Sequence, residues 1–343
     1  MSTRTLLAVD GNSLLHRAFH ASARTGYHSP DGRPRWAVRG LLSQLAAAVD
    51  RCCADAVVVG FDDRSASVRR DRWPSYKAQR LPKPASLEEQ LDAAVEVLRG
   101  LGVPVVVPPG LEADDVLASA AAWAPTVGAR TVLATSDRDA FALVDEHTRV
   151  LRIIDGGVDA SPMLDPRRLF LVTGVRPEQY SDLAALRGDT SDNLPGVPGI
   201  GPKTAARLLA EFGSAAAAFE DAADGAERCR AALGAAAARR LADPEAREAF
   251  ELNRAAMAMR RDVSLGLDLD AGAGRLPLHV DAVSGCYAAH GLPVPGALRA
   301  LCGAEVPTQQ PRDADASWRP ARRRSAIRFP PLPKPASVQD TLF

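Results

Sequence analysis

TLLAVD, residues 5–10, runs through Leu6, Leu7, Ala8 and Val9 without a polar break and stops on Asp10. A strand that is apolar on both faces is one buried on both sides, the pattern of a parallel sheet between two helical layers. AVVVGFD (56–62), VPVVVP (103–108) and RTVLATSD (130–137) repeat it. Between these runs, AVRGLLSQLAAAVDRCC and SLEEQLDAAVEVLRGLG carry helical periodicity, the second opened by Ser86 as N-cap with Glu89 three residues on. Strand, helix and strand in succession predict an α/β fold, a Rossmann-like, mostly parallel sheet with helices on both faces.

The chain has 343 residues, room for two modest domains or for one with appendages, and 46% of it is hydrophobic, enough for a core. Lys plus Arg and Asp plus Glu both total 42, so net charge names no partner. The five cysteines are odd in number and lack metal-ligand spacing, which argues against a disulfide framework or zinc site and for a reducing compartment. MSTRTLLAVDGN lacks the apolar segment of a signal peptide, and no run approaches 18 apolar residues, so a soluble cytoplasmic protein with no membrane contact is expected. An α/β core over residues 1–179 gives way to an alanine-rich helical region at 180–270 and a packing segment at 271–305. Residues 306–343, rich in proline, arginine and small polar residues, read as a disordered basic tail.

LEADDVLA, residues 111–118, places Glu112, Asp114 and Asp115 within helical reach of one another. Like charges so placed repel, and either a helix N-terminus or a bound cation can offset that. Asp10, Asp62 and Asp137, with Asp139 two residues on, end three of the expected strands. Ligands of open parallel sheets bind outside the carboxyl ends of the strands, so one acidic pocket accounts for all seven. Such a set needs counter-ions, and all-oxygen donors suit Mg²⁺ or Mn²⁺. Two ions about 4 Å apart serve phosphoryl transfer. The alternative is a collection of unrelated turn and cap acids.

GVPGIGPKTA, residues 196–205, is a poor phosphate loop of the NTPase kind, because Pro202 intervenes between Gly201 and Lys203 and no apolar strand precedes it. A glycine turn opening a helix fits better. Backbone N–H groups after Gly199 and Gly201, with Lys203 and Thr204, would hold a DNA phosphate without reading sequence; a plain helix–turn–helix hairpin is the alternative. Asp189 and Asp192 just upstream are either turn acids or further members of the pocket. His16 and His20, four apart, lack a third ligand for zinc. The tryptophans share no pattern.

VDGNSLLHRAFHA, FDDRSASVRRDRWPSYKAQR, LEADDVLA, ATSDRDAFAL and LRGDTSDNLPGVPGIGPKTAARLL resemble, in this order, the bacterial 5′–3′ exonucleases. These are flap-endonuclease-like nucleases that also form the N-terminal domain of DNA polymerase I. The likeness covers about residues 3–270 and is that of the free-standing form. It implies a PIN-like fold with a helix–three-turn–helix DNA-binding element that also holds K⁺. The implied metal set is Asp10, Asp62, Glu112, Asp114, Asp115, Asp137, Asp139, Asp189 and Asp192, and the implied basic residues are Arg17, Arg69, Lys77 and Arg80. The resemblance places Lys77 and Arg80 on a helical arch near residues 64–90, where their charges would steady the transition state and Tyr76 could stack on a base. ELNRAAMAMRRDVSL is similar to the family's closing helix and strand, whereas Leu111 stands where relatives commonly have Tyr. The implied activity is metal-dependent 5′–3′ exonuclease and 5′-flap cleavage of DNA, with RNA–DNA primers as further substrates, by a monomer. A PIN-type ribonuclease would lack the arch and the glycine-turn element. A non-catalytic DNA-binding or clamp-adaptor protein would bind DNA equally well with the acids neutralised.

VQDTLF, residues 338–343, resembles the short motif by which bacterial replication proteins dock on the sliding clamp, with Gln339 as polar anchor and Leu342 and Phe343 entering an apolar pocket. From Pro311 onward the tail carries seven basic residues against three Asp, which suits non-specific attraction to DNA.

Overall fold

The computed structural model describes residues 4–24, 26–270, 272–292 and 295–303. Gln339, Leu342 and Phe343 lie outside the described residues. Among the described residues, strands β1 (Arg4–Asp10), β2 (Ala56–Gly60), β3 (Val105–Val106), β4 (Ala129–Thr135), β5 (Thr148–Arg152) and β6 (Met163–Leu164) form one sheet in the order β3-β2-β1-β4-β5-β6. All neighbours are parallel except β6, which runs antiparallel to β5. The chain also forms helices α1 (Gly11–Ser22), α2 (Trp36–Cys52), α3 (Val68–Arg72), α4 (Ala85–Gly100), α5 (Ala113–Trp123), α6 (Pro166–Thr173) and α7 (Tyr180–Arg187). After a two-stranded antiparallel ribbon, β7 (Gly188–Asp189) and β8 (Leu194–Pro195), come α8 (Pro202–Phe212), α9 (Ala215–Ala223), α10 (Glu227–Leu233), α11 (Ala235–Leu241), α12 (Pro244–Ala256), α13 (Val280–Ala289) and α14 (Pro295–Cys302).

The two-residue period of a strand divides the core. Leu6, Ala8, Ala56, Val58 and Leu133 face a layer that includes Val116, Leu117, Leu183, Leu208 and Phe219 from α5, α7, α8 and α9. Leu7, Val9, Val57, Val59, Val132 and Ala134 face the other layer, with Leu14, Leu41, Leu45, Leu91 and Val283 from α1, α2, α4 and α13. The described residues cluster as one compact unit, with the helical region packed into the same core as the sheet. No helix among the described residues is long and apolar enough to cross a membrane.

Several expectations are corrected. The run at 103–108 forms only a two-residue strand, Val105–Val106, since the prolines at 104 and 108 have no N–H to give the ladder, although the Pro104 carbonyl accepts the Val59 N–H. The strands β5 and β6 are additions to the expected set: TRVLR interleaves arginines with apolar residues and β6 is two residues long. Pro84, not Ser86, is the N-cap of α4, its carbonyl accepting the N–H groups of Leu87 and Glu88. Irregular chain, not a strand, follows α12 over residues 257–265.

Candidate metal centre and nucleic-acid interface

The chain leaves β1 toward β2 on one side of the sheet and reaches β4 on the other, so the crevice lies where β1 and β4 end. Asp10 caps α1 there: one carboxylate oxygen accepts the Ser13 N–H at 2.8 Å and the other accepts the Thr135 hydroxyl at 2.7 Å. Gly11 follows because a Cβ would stand 2.4 Å from the Phe61 ring. Asp62 accepts from the Asn12 amide at 2.6 Å and from the Ala113 N–H at 2.9 Å, tying the end of β2 to the start of α5. Asp137 is exposed and accepts the Asp139 N–H at 2.9 Å. Asp139 itself holds a buried Oδ1 with no hydrogen-bond partner.

These carboxyls feel one another. Burial, and then the charges of Asp62 and Asp137, push Asp10 up to about 7. Burial, followed by Asp137, Asp189 and Asp192, pushes Asp139 up to about 7. Burial raises Asp114 well above the ordinary carboxylate range, with Asp137, Asp10 and Asp139 adding to it, and burial with Glu112 raises Asp62. The strand ends, the first turn of α5 and the Asp189–Asp192 loop thus share one negative basin. An all-oxygen donor set, an unpartnered buried oxygen and mutual repulsion are what a divalent cation would relieve, so the residues fit Mg²⁺ or Mn²⁺. No three Asp, Glu, His or Cys among the described residues form a closed ligand cage.

The flank of the basin is built differently. Arg69, only 9% exposed as a residue, donates its guanidinium to both oxygens of Asp115 at 2.8 and 2.9 Å, to Glu112 at 3.2 Å, and to the carbonyls of Ala256 and Ala258 at 3.1 and 2.9 Å. Its five N–H donors are all used, so Arg69 braces α3 and α5 against the end of α12 instead of facing a substrate. Asp115, fully buried, also accepts the backbone N–H groups of Glu112 and Arg260. With two acceptor bonds on each oxygen, it is a capping and ion-pairing residue and not a free metal ligand. LEADDVLA therefore divides its acids: Glu112 and Asp115 form the capping box, with Glu112 also at the edge of the basin, while Asp114 lies inside it.

The expected arch is not a helical one. Val68–Arg72 is a short helix, turns follow to Gln79, and the next helix is α4, which begins at Ala85. Tyr76, 4% exposed and so not available for stacking on a base, donates its hydroxyl to Glu112 at 3.0 Å. Lys77 Nζ lies 2.8 Å from Glu112, and the Arg80 guanidinium 2.5 Å from Asp192. Both cations lean into the pocket. Arg17 does not reach it: its side chain pairs with the exposed Asp155 at 2.9 Å.

Asp189 caps the short turn Thr190–Asp192, accepting the Ser191 N–H and hydroxyl. Beneath it the β7–β8 ribbon crosses so tightly that a Cβ on Gly188, at φ +73°, would stand 2.2 Å from the Gly196 nitrogen. Buried Asn253 donates to the carbonyls of Ala185 and Pro195 and pins the ribbon to α12. The glycine turn follows, with Gly199 at φ +73° and Gly201 as N-cap of α8. No side chain caps that helix, and Gly199, Gly201 and Lys203 are exposed, with Thr204 half-buried. Asn12, Thr135 and Asn253 carry no signal in the sequence. Each donates to an acceptor that lies 50 or more positions away.

Comparison with known proteins agrees with this geometry. Residues 5–170 match the 5′–3′ exonuclease N-terminal resolvase-like domain, and residues 175–277 the 5′–3′ exonuclease C-terminal SAM fold. DNA polymerase I of Mycobacterium tuberculosis is 40% identical over 210 residues, 61% of this chain but only 23% of the polymerase. In fold, the chain resembles T5 5′-exonuclease with bound zinc ions, at TM-score 0.59 and 19% identity over 88% of this chain and 97% of that one. It also resembles the catalytic core of Rad2 in complex with DNA substrate, at TM-score 0.55 and 14% identity over 88% and 92%. Two adjoining domain matches and a basin of carboxylates at the sheet's switch point lead to one conclusion: the chain belongs to the 5′–3′ exonuclease family.

Proposed function

We propose that the chain is a divalent-metal-dependent 5′–3′ exonuclease and 5′-flap endonuclease, acting on DNA ends and RNA–DNA primer junctions in replication and repair. The observation that carries this reading is the unpartnered, buried Oδ1 of Asp139 in a basin where Asp10, Asp114 and Asp139 are all held above the ordinary carboxylate range. Asp10, Asp62, Glu112, Asp114, Asp137, Asp139, Asp189 and Asp192 would hold two Mg²⁺ or Mn²⁺ ions, with Asp115 behind them as a support. Such ions supply Lewis-acid polarisation of the phosphate and activation of the attacking water.

The remaining work falls to the chain's own groups. Asn12 and Thr135 fix the orientation of Asp62 and Asp10 through the hydrogen bonds at 2.6 and 2.7 Å. The uncapped start of α8, with Gly199, Gly201, Lys203 and Thr204, grips a backbone phosphate without regard to sequence. Lys77 and Arg80, at the edge of the basin, pair with the scissile phosphate and offset charge that grows as the bond breaks. A K⁺ ion held by backbone carbonyls of the glycine turn, a monomeric state and a cytoplasmic location belong to the same proposal. So does clamp docking through Gln339, Leu342 and Phe343, which deletion of residues 339–343 should weaken in a direct clamp-binding measurement.

The test is incubation with a 5′-flap DNA labelled at the flap end, with and without Mg²⁺, beside Asp139→Asn. Short flap products that require Mg²⁺, reduced about 100-fold or more in the variant while DNA still binds, are expected. Tight binding without cleavage in Mg²⁺ or Mn²⁺, on flap or recessed ends, would replace this reading with that of a non-catalytic adaptor.

A further inference from the structure

The segment from Trp73 to Arg80 is fastened to the loop that carries Asp189 and Asp192. Gln79 donates its amide to the Thr190 carbonyl at 2.8 Å, and Asn193 donates its own to the Ser75 carbonyl at 2.8 Å. The Lys77 N–H donates to the Asp192 carbonyl at 2.9 Å. Three more bonds run from the segment to the pocket acids: Tyr76 and Lys77 to Glu112, and Arg80 to Asp192. Lys77 achieves this with φ +55°, a backbone region that side-chain-bearing residues rarely adopt. Its ammonium also lies 4.7 Å from the centre of the Tyr76 ring.

We propose that residues 73–80 form a metal-released latch, in which Lys77 and Arg80 neutralise Glu112 and Asp192 until a divalent cation takes those carboxylates. This rests on the nuclease reading for the identity of the pocket, but not on turnover. The Glu112 oxygen that binds Lys77 and the Asp192 oxygen that binds Arg80 are donors the cation would use. Cation and latch therefore compete for the same atoms, and each weakens the other by the same factor. Once released, Lys77 sheds a strained backbone, and both side chains become free to meet a phosphate. Metal loading is thereby coupled to exposure of the groups that hold the substrate. Gln79 and Asn193 touch no carboxylate of the basin, so they are positioning residues whose removal loosens the latch without removing a ligand.

Limited trypsin digestion of the full chain, free of DNA, reads the latch directly, because Lys77–Ala78 and Arg80–Leu81 are trypsin sites inside it. With Mg²⁺ bound, as followed by calorimetry on the same sample, cutting at these two bonds should rise about fivefold or more over the metal-free rate. Cutting at Arg239 and Arg240 should stay constant. Gln79→Ala combined with Asn193→Gly, which retains the left-handed backbone at Asn193 (φ +58°), should raise the metal-free rate at Lys77 and Arg80 and shrink the Mg²⁺ effect. Metal binding that leaves cutting unchanged or slows it overturns the latch, as does a double variant that cuts like the parent. Accelerated cutting in a protein that cleaves no flap would keep the latch and remove the nuclease reading. Flap cleavage without any change in digestion would do the reverse.

Discussion

Asp115 on α5 and Asp139 just beyond β4 are both carboxylates taken out of water, yet the chain treats them in opposite ways. Asp115 receives two guanidinium N–H bonds and two backbone N–H bonds. Asp139 keeps a buried oxygen with no partner, and its carboxyl is held up to about 7. Around Asp115 the neutralising charge is built in, as Arg69; around Asp139 the proposed site leaves it to a bound cation. Burial of an acid is therefore not the mark of a metal ligand. In the proposed site, the mark that singles out Asp139 is an oxygen left without a partner.

The largest expected effect comes from removing the built-in cation. Arg69→Met would leave Asp115 buried and unpaired and free two carbonyls, at a cost of about 3–5 kcal/mol. Urea denaturation measures it, and Arg69→Met combined with Asp115→Leu should recover most of the loss, since an apolar pair can replace a buried ion pair. A single variant that costs under about 1 kcal/mol would show that this flank, too, is neutralised from outside.

The second effect is of opposite origin. Mg²⁺ in about hundredfold excess over its Kd should stabilise the wild-type protein by about 2–3 kcal/mol, because only the folded basin gathers the carboxylates. Thermal denaturation with and without EDTA reads this. Asp114→Asn should diminish the gain by weakening binding. An equal gain in that variant would place the ion elsewhere and erase the distinction between the flank and the strand ends.

The strand ends are legible in the sequence for a physical reason: a buried parallel strand is a continuous apolar run, and an acid at its end stands out against it. TLLAVD and RTVLATSD pair in parallel, and Asp10 at the end of the one feels the charge of Asp137 at the end of the other. The strand β5 is not legible, because Arg149 and Arg152 break its apolar run. The roles of Arg69, Asp115 and Tyr76 are not legible either. Nothing local distinguishes an arginine that reaches across to DNA from one whose partners sit 43 to 189 positions away in the same chain. The resemblance to known nucleases names a set of carboxylates but does not say which members already have counter-ions.

The smallest effect sharpens the comparison most. The Asp139 carboxyl is raised from 3.8 to about 7, so ionisation favours the unfolded chain. Its contribution to stability is present in full below about pH 4 and is lost as pH rises toward 7. In EDTA, Asp139→Asn should match the wild type near pH 4 and exceed it by about 1–2 kcal/mol at pH 8. The full rise from 3.8 to about 7 would give more, at ~1.4 kcal/mol for each pH unit, but Asp10 and Asp114 still repel one another in both proteins. Saturating Mg²⁺ should reverse the order, since the wild type alone keeps the full ligand set. Urea titrations at the two pH values, with EDTA and then with Mg²⁺, give all four comparisons. An Asn variant less stable than the wild type at pH 8 in EDTA would mean that Asp139 is already paired within the chain, as Asp115 is, and that its free oxygen is not where the metal enters.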